Sequence, residues 1–134
     1  MSTNEDERIQ SKLGGRYQIV YSAGAGYKLL CVADRRIGSY LLSKSSTFKW
    51  DTCAPHAILL SLGGGIVDFK KTFDIVERNR HLPDTDLCSL LNDEQLLYNK
   101  PDERAVGADQ WSNAGGLIAY VDVSVIVDIL KALL

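Results

Sequence analysis

The chain has 134 residues, 46% hydrophobic and 24% charged, with a net charge of −2. That length supports one domain, 1–134, with a core of useful size, and the slight acidic excess argues against a nucleic-acid or membrane-surface partner. Cys31, Cys53 and Cys88 are odd in number and widely spaced, so they suggest neither a disulfide framework nor a paired-cysteine metal site, and they point to a reducing, cytoplasmic setting. The polar start, Met1 to Arg8, does not read as a signal peptide, and no apolar run is long enough to span a bilayer.

In chain order, Asn4 followed by Glu7 predicts a helix over 5–13 with Asn4 as its N-cap, closed by Gly14-Gly15. Tyr17 to Tyr21 has strand composition. A glycine-rich turn, Ser22-Ala23-Gly24-Ala25-Gly26, leads into a helix over 27–33. Ser39 to Leu42 predicts a second strand, and Lys44 to Thr47 a polar turn. The central helix carries Ala54, Ala57, Ile58, Ser61 and Leu62 on one stripe, with Pro55 in its first turn and Gly63-Gly64-Gly65 as its stop. A short strand follows from Ile66. Residues 70–110 are charged and weakly periodic; they predict a surface excursion with at most a strand at Leu96-Leu97-Tyr98. Gly116 to Val121 predicts the last strand. A final helix sets Ile126, Ile129, Leu130, Leu133 and Leu134 against Asp128 and Lys131. Strands alternating with helices give an α/β layered sheet.

Four places have residues suited to chemistry. A strand, a glycine turn and a helix at Gly24-Ala25-Gly26-Tyr27-Lys28 present backbone N–H groups and a positive dipole end to an anion, with Lys28 adding a full charge. The same residues also suit a plain tight turn with an exposed lysine. The turn has neither the third glycine of a dinucleotide fingerprint nor the Gly-Lys-Ser/Thr of a P-loop. Asp51, at the start of the central helix, fits an N-cap or an oxygen ligand to Mg²⁺, with Trp50 fixing the approach of its carboxylate. Cys53 and His56, three apart, could pair as nucleophile and base or lie in the core. Lys44, Ser45, Ser46, Thr47 and Lys49 could meet a phosphate or a sugar hydroxyl, or form a solvated turn. His81 is expected in solvent.

Three blocks carry a family resemblance: Gly24 to Lys28; Thr47 to Leu59 with Gly63 to Asp68; and Gly107 to Tyr120, which holds Trp111-Ser112-Asn113-Ala114-Gly115-Gly116-Leu117-Ile118-Ala119-Tyr120. Together they resemble the carboxyl-terminal part of the inositol polyphosphate 1-phosphatases. These belong to the lithium-sensitive, Mg²⁺-dependent phosphomonoesterases related to inositol monophosphatase. The resemblance covers nearly the whole chain. It implies the carboxyl-terminal sheet-and-helix half of a layered αβαβα sugar-phosphatase fold, with the amino-terminal domain absent. It also implies Asp51 as a metal ligand, and Gly24, Ala25, Lys28, Ser46 and, by a looser alignment, Asn4 as contacts to an inositol polyphosphate. A family lysine near the amino terminus is replaced, with Asp6 at about that place.

The implied reaction is Mg²⁺-assisted removal of the 1-phosphate from inositol 1,4-bisphosphate and inositol 1,3,4-trisphosphate, in phosphatidylinositol signalling. The family's Glu-Glu and Asp-Pro-Ile-Asp-Gly-Thr metal motifs occur nowhere in the chain. The expectation is therefore a fragment, short splice form or truncated gene product with weak Mg²⁺ binding, little turnover, and association through the face that the missing half would cover. The alternative is a non-catalytic α/β anion-binding remnant.

Overall fold

The computed structural model describes residues 1–3 and 5–134. Helices α1 (Glu7–Gly14) and α2 (Ala25–Ala33) precede strand β1 (Ser39–Leu42), and α3 (Lys49–Ser61) precedes β2 (Gly65–Asp68). Helices α4 (Phe69–Arg78) and α5 (Asp84–Asn92) follow, then a 3-10 turn (Gly107–Trp111), β3 (Leu117–Tyr120) and α6 (Val123–Leu133). None of these helices is long and apolar enough to cross a membrane.

The described strands form one sheet in the order β1-β3-β2, with β3 antiparallel to both neighbours. β1 and β2 are therefore parallel to each other. In register, Leu41, Ile118 and Val67 lie side by side, as do Tyr40, Ala119 and Ile66. Because strand side chains alternate between faces, these two rows enter separate cores. Leu41, Val67, Ile118 and Tyr120 pack with Leu13 of α1, Val76 of α4, Leu87 and Leu91 of α5, and the apolar stripe of α6. Tyr40, Leu42, Ile66, Leu117 and Ala119 pack with Leu29 and Val32 of α2 and Leu59 of α3. The result is a helix–sheet–helix sandwich, in line with the layered α/β expectation.

Several local expectations change. The Asn4 N-cap lies outside the described residues; α1 begins later, at Glu7, and is capped by Asp6, whose side chain accepts from Arg8 N at 2.8 Å. Tyr17 to Tyr21 forms no strand. It runs beside the amino terminus instead, with the Met1 amino group donating to Val20 O at 2.8 Å and Ser22 N donating to Met1 O.

The excursion over 70–110 is corrected more deeply. Phe69, Thr72 and Val76 are buried on one side of α4, and Leu87 and Leu91 on one side of α5. The charges that masked this periodicity are the solvent faces of two core helices. Leu96 is buried too, and Gln95 makes a single bridge to Val67 in place of the expected strand. His81 is exposed as expected.

The stripe on α3 is reversed. Ala54, Ala57, Ile58, Ser61 and Leu62 all face outward, while Thr52, His56 and Leu59 face the sheet. The helix also starts before Asp51, so Pro55 lies inside it, past the first turn. On α6 the predicted face is buried apart from Leu134.

Candidate functional site

The topology sets the place where chemistry can occur. Helices α2 and α3 each lead into one of the parallel strands from the same end of the sheet, where Ser39, Tyr120 and Gly65 are in register. Both helices run back along the sheet to reach that end. Their N-termini therefore lie together at the opposite end, where Leu42, Leu117 and Asp68 are aligned. Two helix N-termini converging beyond the ends of parallel strands make a positive, donor-rich setting suited to an anion.

Gly24 is the N-cap of α2 at φ 80°, with no side chain closing the turn. Glycine adopts this backbone without strain and leaves the first turn's N–H groups uncovered. Ala25 is the first helical residue, and Lys28 N donates to Gly24 O at 3.2 Å. The Lys28 side chain is buried, 6% exposed, with its ammonium 4.6 Å from the centre of the Tyr40 ring. Burial holds its pKa below the ordinary lysine value, and the Glu5 carboxylate partly offsets this. None of the ion pairs among the described residues involves Lys28. A desolvated ammonium in this state gains from any arriving anion. The exposed-lysine reading of the glycine turn is therefore set aside.

Glu5 is the residue that sequence reasoning missed. It is 4% exposed, and its carboxylate accepts from Ser43 N at 3.0 Å and from the Ser43 hydroxyl. This ties the amino-terminal segment to the end of β1, beside Lys28. A Glu within a charged, polar run gives no local sign of burial.

Asp51 is the third residue of α3 and is exposed. Its carboxylate accepts from Phe48 N at 2.8 Å, closing the first turn. The helix-capping role is thus present, though from inside the helix and not from the N-cap itself. Among the described residues, no group of three His, Cys, Asp or Glu side chains converges to hold a metal. One carboxylate does not fit Mg²⁺, which binds through several oxygens in a near-octahedral shell. Trp50 is 57% exposed and stacks on Phe48, with ring centres 4.7 Å apart.

Ser46 is exposed in the loop leading to α3, whereas Thr47 is buried. Thr47 Oγ1 accepts from Asn113 Nδ2 at 3.0 Å, and Asn113 N donates to Thr47 O at 2.8 Å, so the block from Gly107 to Tyr120 holds this loop in place. Lys49 lies over Tyr98, 5.8 Å from the ring centre. Burial lowers its pKa, Asp68 raises it, and Lys71 lowers it again. Lys28, Ser46 and Asp51 thus lie at one end of the sheet; Asn4 is outside the described residues.

Cys53 and His56 do not pair. Cys53 is exposed, while His56 is 2% exposed and bonds to Tyr98 OH through Nδ1 and to Gln95 Oε1 through Nε2, both at 2.7 Å. Burial pushes the His56 pKa below its ordinary 6.5; the Gln95 bond raises it and nearby Lys49 lowers it. Below about pH 6.5 the unfolded chain therefore binds a proton that the folded chain resists. The resulting stability is complete above that pH and is lost as the pH falls through the folded value. Urea midpoints measured across this window should drop with acidification in the wild-type chain. The drop attributable to His56 should be missing in His56→Gln.

Comparison with known proteins identifies the family. Residues 2–124 match the family model described as "Inositol monophosphatase family". The human protein named inositol polyphosphate 1-phosphatase is 48% identical over 124 residues, and its bovine counterpart 48% over 122; each match covers 90% of this chain and 28% of the relative. A Dictyostelium discoideum 3'(2'),5'-bisphosphate nucleotidase 1 is 39% identical over 51 residues, covering 38% of this chain and 16% of its own. The chain thus spans little more than a quarter of the inositol polyphosphate 1-phosphatases it matches. With a family match along nearly its full length and the helix–sheet–helix order described above, the chain belongs to the inositol monophosphatase family.

Proposed function

We propose that this chain is the substrate-contacting part of a phosphomonoesterase that removes the 1-phosphate from inositol 1,4-bisphosphate and inositol 1,3,4-trisphosphate. It corresponds to the carboxyl-terminal domain of the relatives named inositol polyphosphate 1-phosphatase. The observation that carries the reading is Lys28: a buried ammonium beside an uncapped helix N-terminus, at the same end of the sheet as Asp51. The α2 turn, from Gly24 and Ala25, and the Lys28 ammonium orient a phosphate. Ser46 supplies a hydroxyl from the next loop. Their part is positioning rather than bond breaking.

Asp51 is read as one ligand of a Mg²⁺ site, and lithium sensitivity belongs to the same reading. Because the described residues do not fit a complete Mg²⁺ shell, no catalytic step is assigned to this chain. The remaining carboxylates must come from additional polypeptide. The surface suited to meet it is the outer side of α2 and α3, where exposed Leu30 and Ile58 line, with Leu29, Ala33, Ala54 and Pro55, a cleft of about 240 Å³. A cytoplasmic setting is part of the proposal, supported by three free cysteines; neither a nucleic acid nor a membrane is a proposed partner.

Calorimetric titration with inositol 1,4-bisphosphate and with inositol, alongside phosphate release with Mg²⁺, tests the reading. Expected are binding of the bisphosphate, none of inositol, and little or no release by the chain alone. Absence of bisphosphate binding would sink the proposal, and robust turnover would overturn the need for further carboxylates. The absence of a three-carboxylate cluster among the described residues favours one alternative, a non-catalytic anion-binding module. That module predicts binding that is indifferent to Mg²⁺.

A further inference from the structure

Residues 17–21 carry strand composition but form no strand, and their hydrogen bonds show which partner suits them. Met1 N donates to Val20 O at 2.8 Å, and Ser22 N donates to Met1 O at 3.3 Å. One residue bonded to both neighbours of the residue it faces is the unit of a parallel ladder. Met1 is thus a single rung opposite Tyr21. Main-chain groups alternate along an extended segment, so those of Gln18 and Val20 turn to the same side as Ser22 N.

β1 offers a second wall. Ile66 O accepts from Leu96 N, and Asp68 N donates to Glu94 O, so these residues of β2 turn away from β3. Alternation leaves Gly65 and Val67 to bond with Tyr120 and Ile118, and leaves Ala119 and Leu117 to bond with Tyr40 and Leu42. The main-chain groups of Ser39 and Leu41 therefore point out from the edge of the sheet. Leu41 is 3% exposed, yet among the described residues no backbone hydrogen bond reaches β1 from that side. Buried N–H and C=O groups at a sheet edge ordinarily find a partner.

A cleft of about 280 Å³ lies between the two walls, bordered by Met1, residues 18–20, residues 36–39 and Leu41, with Leu13, Val125 and Ile129 as its floor. Chain direction agrees along both sides. Residues 17–21 lead into α2, and β1 ends at Leu42, both at the end of the sheet where the α2 and α3 N-termini lie. Glu5 accepts from Ser43 N at 3.0 Å just past β1, so residues 1–5 cross to that same end. A strand passing through Met1 would run parallel to both walls. α1 would then be its crossover to residues 17–21, and α2 the crossover from there to β1, the helical connections that parallel strands require.

We infer that this cleft seats a β-strand: an extended, largely apolar segment of additional polypeptide, joined to Met1, that pairs in parallel with residues 17–21 and with β1. The sheet order becomes 17–21, the added strand, β1, β3, β2. Apolar side chains suit the floor because Met1, the first rung, already packs with that core. The chain spans 28% of the human inositol polyphosphate 1-phosphatase, so polypeptide of ample length lies outside the matched part of that relative. The inference rests on main-chain geometry and is independent of the phosphatase reading.

Amide hydrogen exchange on the full chain tests it, with an extension of about six residues, alternating valine and threonine, fused ahead of Met1 with valine in phase with Met1. A control extension carries proline at its inner positions and cannot build a ladder. Exchange at Val20 and Leu41 should slow by about tenfold or more relative to the control, while Ile19 and Tyr21, whose N–H groups face away, stay unchanged. No slowing at Val20 and Leu41, slowing on one wall only, or equal slowing at Ile19 overturns the inference. If the fusion fails to fold, the same segment is added to the unextended chain as a free peptide. Protection at the same two amides then supports the seat, and none overturns it. Protection there that grows with concentration in the unextended chain alone makes a second copy the occupant, which also overturns it.

Discussion

Replacing Gly116 with alanine is expected to destabilise the chain by about 3 kcal/mol or more, from the sum of a left-handed backbone penalty and a steric clash. Gly116 enters β3 at φ 72°, and a Cβ there would press into the Leu42 carbonyl oxygen and lie 3.0 Å from the Ser43 carbonyl carbon. Both obstacles are backbone of the neighbouring strand and its exit, so no side chain can turn aside. Gly116→Asn separates the two causes. Asparagine tolerates positive φ better than alanine, but its Cβ meets the same carbonyl and should be nearly as damaging. Urea or thermal unfolding checks this; a loss under about 1 kcal/mol for either variant would show that β1 can move away.

Replacing Lys28 with methionine should separate function from stability. The substitution keeps the length and apolar stem of the side chain and removes a charge that burial already disfavours. Losing the contact with the Tyr40 ring is offset by ending the desolvation of the ammonium, so stability should change by no more than about 1 kcal/mol. Affinity for inositol 1,4-bisphosphate should fall by roughly 10- to 100-fold, as expected for one charge-assisted hydrogen bond to phosphate. Unchanged bisphosphate affinity in a folded Lys28→Met chain would remove Lys28 from the site. Lys28→Arg should recover little, because a planar guanidinium is wider than the space an ammonium occupies over Tyr40.

The two predictions fall on opposite sides of what could be read from the chain. The glycine turn that opens α2 is visible in the sequence as punctuation between periodic segments, whereas Gly116 reads there only as the first residue of the last strand. β1, the body of α2, and the strands after Gly64 and Gly116 also followed from local patterns. The helices α4 and α5 did not, because Lys70, Lys71, Asp74, Glu77 and Arg78 crowd the outer face of α4 and hide the stripe of Phe69, Thr72 and Val76. On α3 the local pattern pointed the wrong way. A helix with apolar residues on two sides has no unique inner face until its neighbours are in place, and here the sheet takes Thr52, His56 and Leu59.

By itself, the sequence determined the α/β class, most of the element order, and the blocks that tie the chain to its family, because these depend on residue type and short spacing. It also marked Lys28 and Asp51 as residues worth weighing, with two readings open for each. Only the tertiary structure brought the N-termini of α2 and α3 to the same end of the sheet, buried Lys28 beside Glu5, and removed His56 from Cys53 into hydrogen bonds with Tyr98 and Gln95. Those outcomes rest on strand order and on pairings between residues far apart in the chain. Such pairings depend on which surfaces exclude water together, and no local spacing records that.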